Sequence, residues 1–380
     1  MRISKPKKVI FVINNFAIGG VEKLLLDIIS RLDKQKFTIS IVTVFGSGPL
    51  ESSFRQLKVP IYFVAGKFPF HHKRLPYKIY WLVIAPIILA RLVWWFWHHR
   101  PAVVVTSLYQ SDVLGMLASR LAGVHERVLI HHDTYPVGRS KAWLKRKIGV
   151  GLATRIVAVS QTVKDFVINY FGASADHVII IPNGINTNRF SNGDKSPDYS
   201  NLVLGMLGRL ESVKGPMVFL QALQILQIKF GLTPPSHLGG EGSLRSELIN
   251  YATQAQLYNL TLDGEIRDVP DWLRKIDILV VPSIREGFGL VVLEGLIAKK
   301  IVVASDLLAL HDLISDYDNG LLFKVGDAAS LAEIIVNLLS NRELFAQIKS
   351  GVCRWRREKR HIFDIANVAT AYDALLLDRS

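Results

Sequence analysis

A single cysteine, Cys353, stands among 380 residues. That scarcity excludes a disulfide framework and a cysteine-rich metal site, and it fits a reducing compartment, so a cytoplasmic location is expected. Acidic residues are the scarcer charge, 32 Asp and Glu against 46 Lys and Arg. Low-complexity tracts are missing too, and 49% apolar with 21% charged residues describe a chain that buries cores. Long unbroken apolar runs are also lacking. The first, VIFVI at residues 9–13, ends at two asparagines. It is shorter than the roughly 7–15 residues of a signal peptide and reads as a first strand. The most hydrophobic region, IYWLVIAPIILARLVWWFW at residues 79–97, carries Pro86 and Arg91 inside what would otherwise approach a membrane span of about 20 residues. It reads as a buried or interfacial helix with its tryptophans at headgroup depth. No helix-turn-helix, zinc-finger or RNA-binding signature accompanies the basic charge, so nucleic acid is not an expected partner.

What is present is uneven. The formal charge is +14, with 27 basic against 11 acidic residues in 1–200 and 19 against 21 in 201–380. Such an asymmetry points to an acidic partner for the first half, either lipid headgroups or a phosphorylated substrate. Single runs such as KAWLKRK (residues 141–147) and RWRREK (354–359) read as solvated basic faces. At 380 residues the chain exceeds what one core usually supports, and two domains are expected. Short β-branched runs alternate with amphipathic stretches, as in VIFVI then VEKLLLDIISRL and RIVAVS then QTVKDFVINYF. This is the pattern of βα units around parallel sheets. It pauses once, in PNGINTNRFSNGDKSPDYSN, which is turn and linker chemistry, and a boundary is placed near residues 184–200.

In such sheets ligands lie beyond the carboxyl ends of the strands, so the loops that follow strands matter most. Four stand out: NNFAIGGVE, HHDTYP, GRLESVKG and the opening EGFG. GRLESVKG sets Arg209 and Lys214 beside a helix start, with Gly208 and Gly215 permitting close backbone approach. Fixed cations and free amides suit a diphosphate. In EGFGLVVLE, Gly287 and Gly289 leave amides exposed at a helix start, and Glu294 falls in its second turn. A carboxylate there accepts both hydroxyls of a vicinal diol, while Glu286 suits a second hydroxylated group such as a sugar ring. A hydrolytic pair of carboxylates is the alternative, which spacing along a loop and helix does not decide.

Taken together, Gly19-Gly20-Val21-Glu22, RIVAVS, IPNGIN with Phe190, GR-x4-KG, Gly240-Glu241-Gly242, the segment at Asp268 to Pro270, and VPSIREGFGLVVLEG occur in one order across nearly the whole chain. In that order they resemble the family-four (group 1) retaining glycosyltransferases. The resemblance implies an α/β GT-B architecture, two Rossmann-like doubly wound domains facing a central cleft. Residues 1–190 would form the acceptor side, 191–364 the nucleotide-sugar donor side, and 365–380 a last helix crossing back. Carried onto this chain, Arg209 and Lys214 would bind the donor diphosphate and stabilise the leaving group. Glu294 would hold the ribose and Glu286 the donor sugar. Gly287, Phe288, Gly289 and Leu290 would contribute main-chain contacts at the donor, with Gly19, Gly20 and Gly208 near the phosphates.

The family's histidine near the transferred sugar matches His132, with His131 as the second choice and a structural histidine as the plain alternative. Asp316-Tyr317-Asp318 resembles a metal-binding DxD, yet its following Asn-Gly marks a turn, and no metal or other cofactor is expected. The chain departs from the family in the proline-rich TPPSHLGGEG and in LLALHDLI, where Asp312 stands near the place of an acid. The resulting expectation is a glycosyltransferase that moves a sugar from a nucleotide sugar, UDP- and GDP-sugars first. Its acceptor would be a lipid-linked or phosphorylated glycan of bacterial envelope polysaccharide or lipopolysaccharide synthesis, met on the anionic inner face of the cytoplasmic membrane. The rivals are a phosphorylase or nucleotide-sugar epimerase of the same fold, and a non-catalytic basic binding protein.

Overall fold

The computed structural model describes residues 5–65, 77–134, 143–190, 199 and 201–378. Residues 191–198 and 200 of the expected linker, Lys141 and Ala142 of KAWLKRK, and Tyr135 and Pro136 of HHDTYP lie outside the described residues. The chain divides into two compact units, Met1–Gly184 with Ile365–Ser380, and Ile185–Asp364.

In the first unit β1 (Lys7–Ile13), β2 (Phe37–Thr43), β3 (Ile61–Phe63), β4 (Val103–Ser107), β5 (Glu126–His131), β6 (Arg155–Ala158) and β7 (Val178–Ile180) form one parallel sheet. Its order is β3-β2-β1-β4-β5-β6-β7. The second unit holds β8 (Leu204–Leu207), β9 (Ser236–Gly239), β10 (Leu260–Gly264), β11 (Ile278–Val281), β12 (Ile301–Ser305) and β13 (Leu321–Phe323). They are parallel in the order β10-β9-β8-β11-β12-β13. Strands such as VVVTS of β4 and IVVAS of β12 are buried along their whole length, as strands covered on both faces must be. Both units are thus doubly wound and Rossmann-like. In each, the strand order reverses between the first strand and the one that crosses over beside it, at β1/β4 and at β8/β11. A ligand crevice opens at such a reversal, beyond the carboxyl ends of the strands.

The hydrophobic region at residues 79–97, expected as a buried or interfacial helix, lies in one helix, Tyr77–His99, that runs through Pro86 and Arg91. Its inner side, with Ile88, Leu92 and Phe96, is buried in a cluster with Val12, Val42 and Val104 of the sheet. No helix among the described residues is long and apolar enough to cross a membrane.

The sequence reading closed the first domain at residue 190, but residues 185–190 belong to the second unit. Ile185 bridges Asp364, its N–H donates to Phe363 O at 2.9 Å, and Arg360 Nε donates to Thr187 Oγ1 at 3.0 Å. The helix Ile365–Leu377 lies in the first unit and packs on the helix Gly20–Arg31. The unusual TPPSHLGG still forms a strand, β9, between β8 and β10. Pro234 and Pro235 precede its first residue, and Pro235 O accepts from Leu204 N at 2.9 Å, so neither proline interrupts a ladder that needs its missing N–H.

Candidate functional site

Two loops leave the adjoining strands of the second unit's reversal, residues 208–215 after β8 and 282–289 after β11. They are zipped together by Ile284 N donating to Val213 O at 2.9 Å. Gly215 makes the approach possible: its φ is +65°, and a Cβ there would lie 2.0 Å from Pro282 O. The consequence is that Lys214 reaches Glu286, Nζ to Oε1 2.5 Å, with the side chains 25% and 11% exposed. Ser283 Oγ donates to the same Oε1 at 2.8 Å. A carboxylate accepts at two oxygens, so this clamp orients Glu286 while leaving Oε2 to take a hydroxyl. In a site screened this weakly by water, the cation and the fixed carboxylate act strongly on any charge placed beside them.

Gly289, at φ +85°, caps the helix Leu290–Ile297, and a Cβ there would lie 2.5 Å from Leu310 Cδ2. Phe288 is 4% exposed with its ring centroid 6.2 Å from that of Phe363, so only its main chain is offered to a ligand. Val292, Leu293, Leu296 and Ile297 are core, whereas Leu290 and Glu294, one turn apart, share a half-buried side. Gly208 N donates to Gly239 O at 3.0 Å, and Arg209 beside it is exposed.

Two contributors in this unit were not singled out in the sequence. Ser283 shares Glu286 with Lys214. Glu211 braces the loop after β8 to the loop after β9, accepting from Ser243 N at 3.0 Å and Ser243 Oγ at 2.7 Å. Those two bonds, from the amide first, hold its carboxyl below the ordinary range. Gly240, of the Gly240-Glu241-Gly242 motif named above, has φ +136° and lets the loop after β9 close on Gly208. A serine or a glutamate in a loop gives no local sign of such a role.

The first unit gathers its own polar residues at the carboxyl ends of β1, β4 and β5. Asn14, just past β1, accepts from Ser111 N at 3.0 Å and donates to Gln110 Oε1 at 2.9 Å, bridging the reversal. Gly19 and Gly20 start the helix Gly20–Arg31. A Cβ on Gly19 would lie 2.3 Å from Glu22 Oε2, so the glycine makes room for the buried Glu22 carboxylate at a positive helix end. His132 Nε2 lies 2.9 Å from Ser107 Oγ. Burial first, then the Lys145 charge, lowers its imidazole to about 3, so it is neutral at pH 7. His131 is fully buried and stacked on Phe166 with ring centroids 6.0 Å apart, the structural histidine of the pair.

Lys145, read from KAWLKRK as part of a solvated face, is 5% exposed and ion-paired with Asp112. A basic run does not reveal a carboxylate supplied by another helix. Asp316-Tyr317-Asp318 forms a turn whose carboxylates are used locally: Asp316 Oδ1 accepts from Leu322 N at 2.9 Å, and Asp318 pairs with Arg354. Among the described residues, no three His, Cys, Asp or Glu side chains gather as a metal site.

Comparison with known proteins adds the following. The family model described as "Glycosyl transferases group 1" matches residues 189–352, and "Glycosyltransferase Family 4" matches residues 18–189. The UDP-Gal:alpha-D-GlcNAc-diphosphoundecaprenol alpha-1,3-galactosyltransferase of Escherichia coli is 27% identical over 272 residues, 66% of this chain and 69% of that protein. A D-inositol 3-phosphate glycosyltransferase of Geodermatophilus obscurus is 27% identical over 294 residues, covering 68% of this chain and 65% of the relative. Among solved structures, Alr3699/HepE of Anabaena, in complex with UDP and glucose, superposes with a TM-score of 0.78 at 22% identity. That match covers 97% of this chain and 99% of the Anabaena chain. Sucrose-phosphate synthase of Thermosynechococcus elongatus gives 0.77 at 16% identity, over 97% and 98% of the two chains.

Proposed function

The chain belongs to the group 1 glycosyltransferases, and from that premise we propose that it moves a sugar from a nucleotide sugar to an acceptor hydroxyl with retention of anomeric configuration. The observation that carries this reading is the clamp on Glu286, one of whose oxygens is held by Lys214 and Ser283 beside the β8/β11 reversal. The other oxygen accepts from a hydroxyl of the transferred sugar. Lys214 and Arg209 stabilise the negative charge that grows on the departing diphosphate, and the amides of residues 287–289 assist at the helix start. Glu294 accepts the ribose hydroxyls. The acceptor hydroxyl attacks from the face that the diphosphate leaves. Cationic side chains supply the leaving-group stabilisation in this scheme, so the transfer needs no divalent metal.

A UDP-sugar is the favoured donor, supported by the UDP and glucose bound to the Anabaena protein and by the UDP-Gal named for the E. coli relative. A panel of UDP-, GDP-, ADP- and dTDP-sugars, each with and without EDTA, tests the assignment by thermal shift. UDP-sugars at 100 times their Kd are expected to stabilise by about 2.7 kcal/mol, unaltered by EDTA. No response to any donor sinks the reading, and nucleoside diphosphate released only when an acceptor is present separates the transferase from an epimerase, which isomerises the nucleotide sugar, and from a phosphorylase, which exchanges sugar between a glycan and phosphate.

The acceptor in this reading is a lipid-linked or phosphorylated glycan at the inner face of the bacterial cytoplasmic membrane. The lipid-diphosphate acceptor named for the E. coli relative and the basic first half support it. So does the outer side of the helix Tyr77–His99, where Ile87, Trp94 and Trp97 are exposed at 40%, 61% and 61% alongside Arg91 and His98. Indole rings beside cations suit a headgroup layer. Sedimentation with anionic vesicles at low salt is expected to fall at least tenfold for Trp94→Ala/Trp97→Ala. A wild-type protein that stays in the supernatant defeats the membrane assignment without touching the donor chemistry.

A further inference from the structure

At the amino ends of β9 and β10, away from the loops that leave the carboxyl ends of β8 and β11, the second unit carries a half-open groove of about 200 Å³. Its floor is apolar, with Leu223 of the helix Pro216–Phe230 and Leu260 of β10. Its rim is polar but uncharged. Gln227, Gln256 and Asn259 bring side-chain amides, and Tyr258 stands beside them, 84% exposed. No Asp, Glu, Lys, Arg or His lines the groove, in a chain that carries a net charge of +14.

The two loops that form the rim are fixed to each other and to the helices before them. Asn259 Nδ2 donates to Thr233 O at 2.7 Å, which ties the loop before β10 to the loop before β9. Leu257 N donates to Ala252 O at 3.0 Å and Gln256 N to Thr253 O at 3.2 Å, the pair of bonds that closes the helix Arg245–Gln254. Such a closure places Gln256 at φ +53°, where glycine sits without strain and a side chain does not. Gly231 fills the same place after the helix Pro216–Phe230, at φ +66° with Leu232 N donating to Leu226 O at 3.0 Å. Of two matching helix ends on one groove, the one that lines it keeps a long amide against the backbone preference. Within the described residues, no hydrogen bond engages the side chains of Gln227, Gln256 or Tyr258.

An anionic ligand would call for a cation at the groove, and a cationic one for a carboxylate. A neutral sugar fits the groups that are present. Each of its hydroxyls donates and accepts, and a side-chain amide offers both functions side by side. Its C–H face is apolar, and an exposed aromatic ring with a polar tip covers such a face. The groove is smaller than the roughly 300 Å³ at which pockets for drug-sized ligands begin, so it takes one ring of a chain.

We propose that this groove binds one residue of a neutral glycan, with Tyr258 as the stacking platform and the amides of Gln227 and Gln256 as hydroxyl partners. A glycan held there is tethered to the unit that carries the Lys214–Glu286 clamp, which raises its local concentration without touching the transfer chemistry. The choice of a glycan among neutral polyols rests on the transferase reading.

The test is saturation-transfer NMR of the full-length chain with maltose, lactose, chitobiose and mannobiose, and with glucuronic acid as the charged comparison. At least one neutral disaccharide is expected to bind with millimolar affinity, and glucuronic acid is not. Tyr258→Ala is expected to weaken that binding about tenfold. Melting temperature and the response to nucleotide sugars stay as in wild type, since so exposed a side chain carries little of the fold. Gln256→Gly is expected to weaken binding while the melting temperature rises, a combination that a purely structural glutamine would not give. The proposal is overturned if no neutral disaccharide binds, or if binding is equal in wild type and both variants, which puts the sugar elsewhere. A wild-type dimer that Tyr258→Ala disperses gives the groove to a second copy and overturns it as well. Tyr258-dependent sugar binding by a chain that answers to no nucleotide sugar would retire the transferase reading and leave the groove standing.

Discussion

Lys214→Met is expected to lower kcat by about 10²–10³, with a smaller rise in the donor KM. The reasoning begins with what the side chain touches. Its ammonium is 2.5 Å from Glu286 Oε1 in a half-buried setting, so it does two things at once. In the proposed transfer it orients the carboxylate toward the donor, and it supplies positive charge where the diphosphate leaves. Methionine keeps the length and removes both effects. Charge on the leaving group grows between ground and transition states, so the loss falls on kcat more than on binding. Glu286→Gln separates the two roles, since it keeps the shape and a hydroxyl acceptor but breaks the ion pair. If Lys214 acts on the diphosphate in its own right, adding Lys214→Met to Glu286→Gln must lower kcat further. Steady-state kinetics on the three variants decides it: a Lys214→Met enzyme with kcat within threefold of wild type would defeat the assignment.

Gly240→Ala is expected to cost about 3 kcal/mol and lower the melting temperature of the second unit by roughly 10 °C. Two independent costs meet at this residue. Its φ of +136° is a region that side chains avoid, and an added Cβ would lie 1.8 Å from Gly208 O. The neighbour is backbone, so the strand end must move, and with it the loop that carries Arg209 and Lys214. Donor-induced stabilisation should therefore shrink along with the melting temperature. Gly231→Ala is the control. It also has positive φ, +66°, but nothing lies within 4 Å of the added carbon, and it should cost only about 1 kcal/mol. Equal melting temperatures for the two variants would show that the close approach to Gly208 is relieved at no cost.

Much of the fold was legible because a parallel strand covered on both faces is a β-branched run whatever its partners are. VIFVI, VVVT, RIVAVS and IVVAS could be assigned as strands from composition alone. Less legible were elements whose local chemistry misleads. The prolines of TPPSHLGG argued against a plain strand, yet they stand just before the ladder begins. Pro86 is a helix breaker by its local chemistry, yet the helix expected there, Tyr77–His99, runs through it, its inner face held by the buried Ile88, Leu92 and Phe96. Burial of those side chains outweighs a local backbone penalty of about 3 kcal/mol.

The sequence by itself picked out the candidate residues, because a charge or a glycine in or next to a strand-to-helix turn is readable in one dimension. Arg209, Lys214, Glu286 and Glu294 were found that way. Tertiary structure alone decided which of them meet. Strand order depends on pairings far apart in the chain, and nothing in β8 states that β11 will lie beside it. Only that pairing brings Lys214 against Glu286, 72 residues later. The same reason separates the surface lysines from Lys145. All belong to basic runs, but only the fold brings a buried carboxylate from the helix Tyr109–Leu121 to meet one of them.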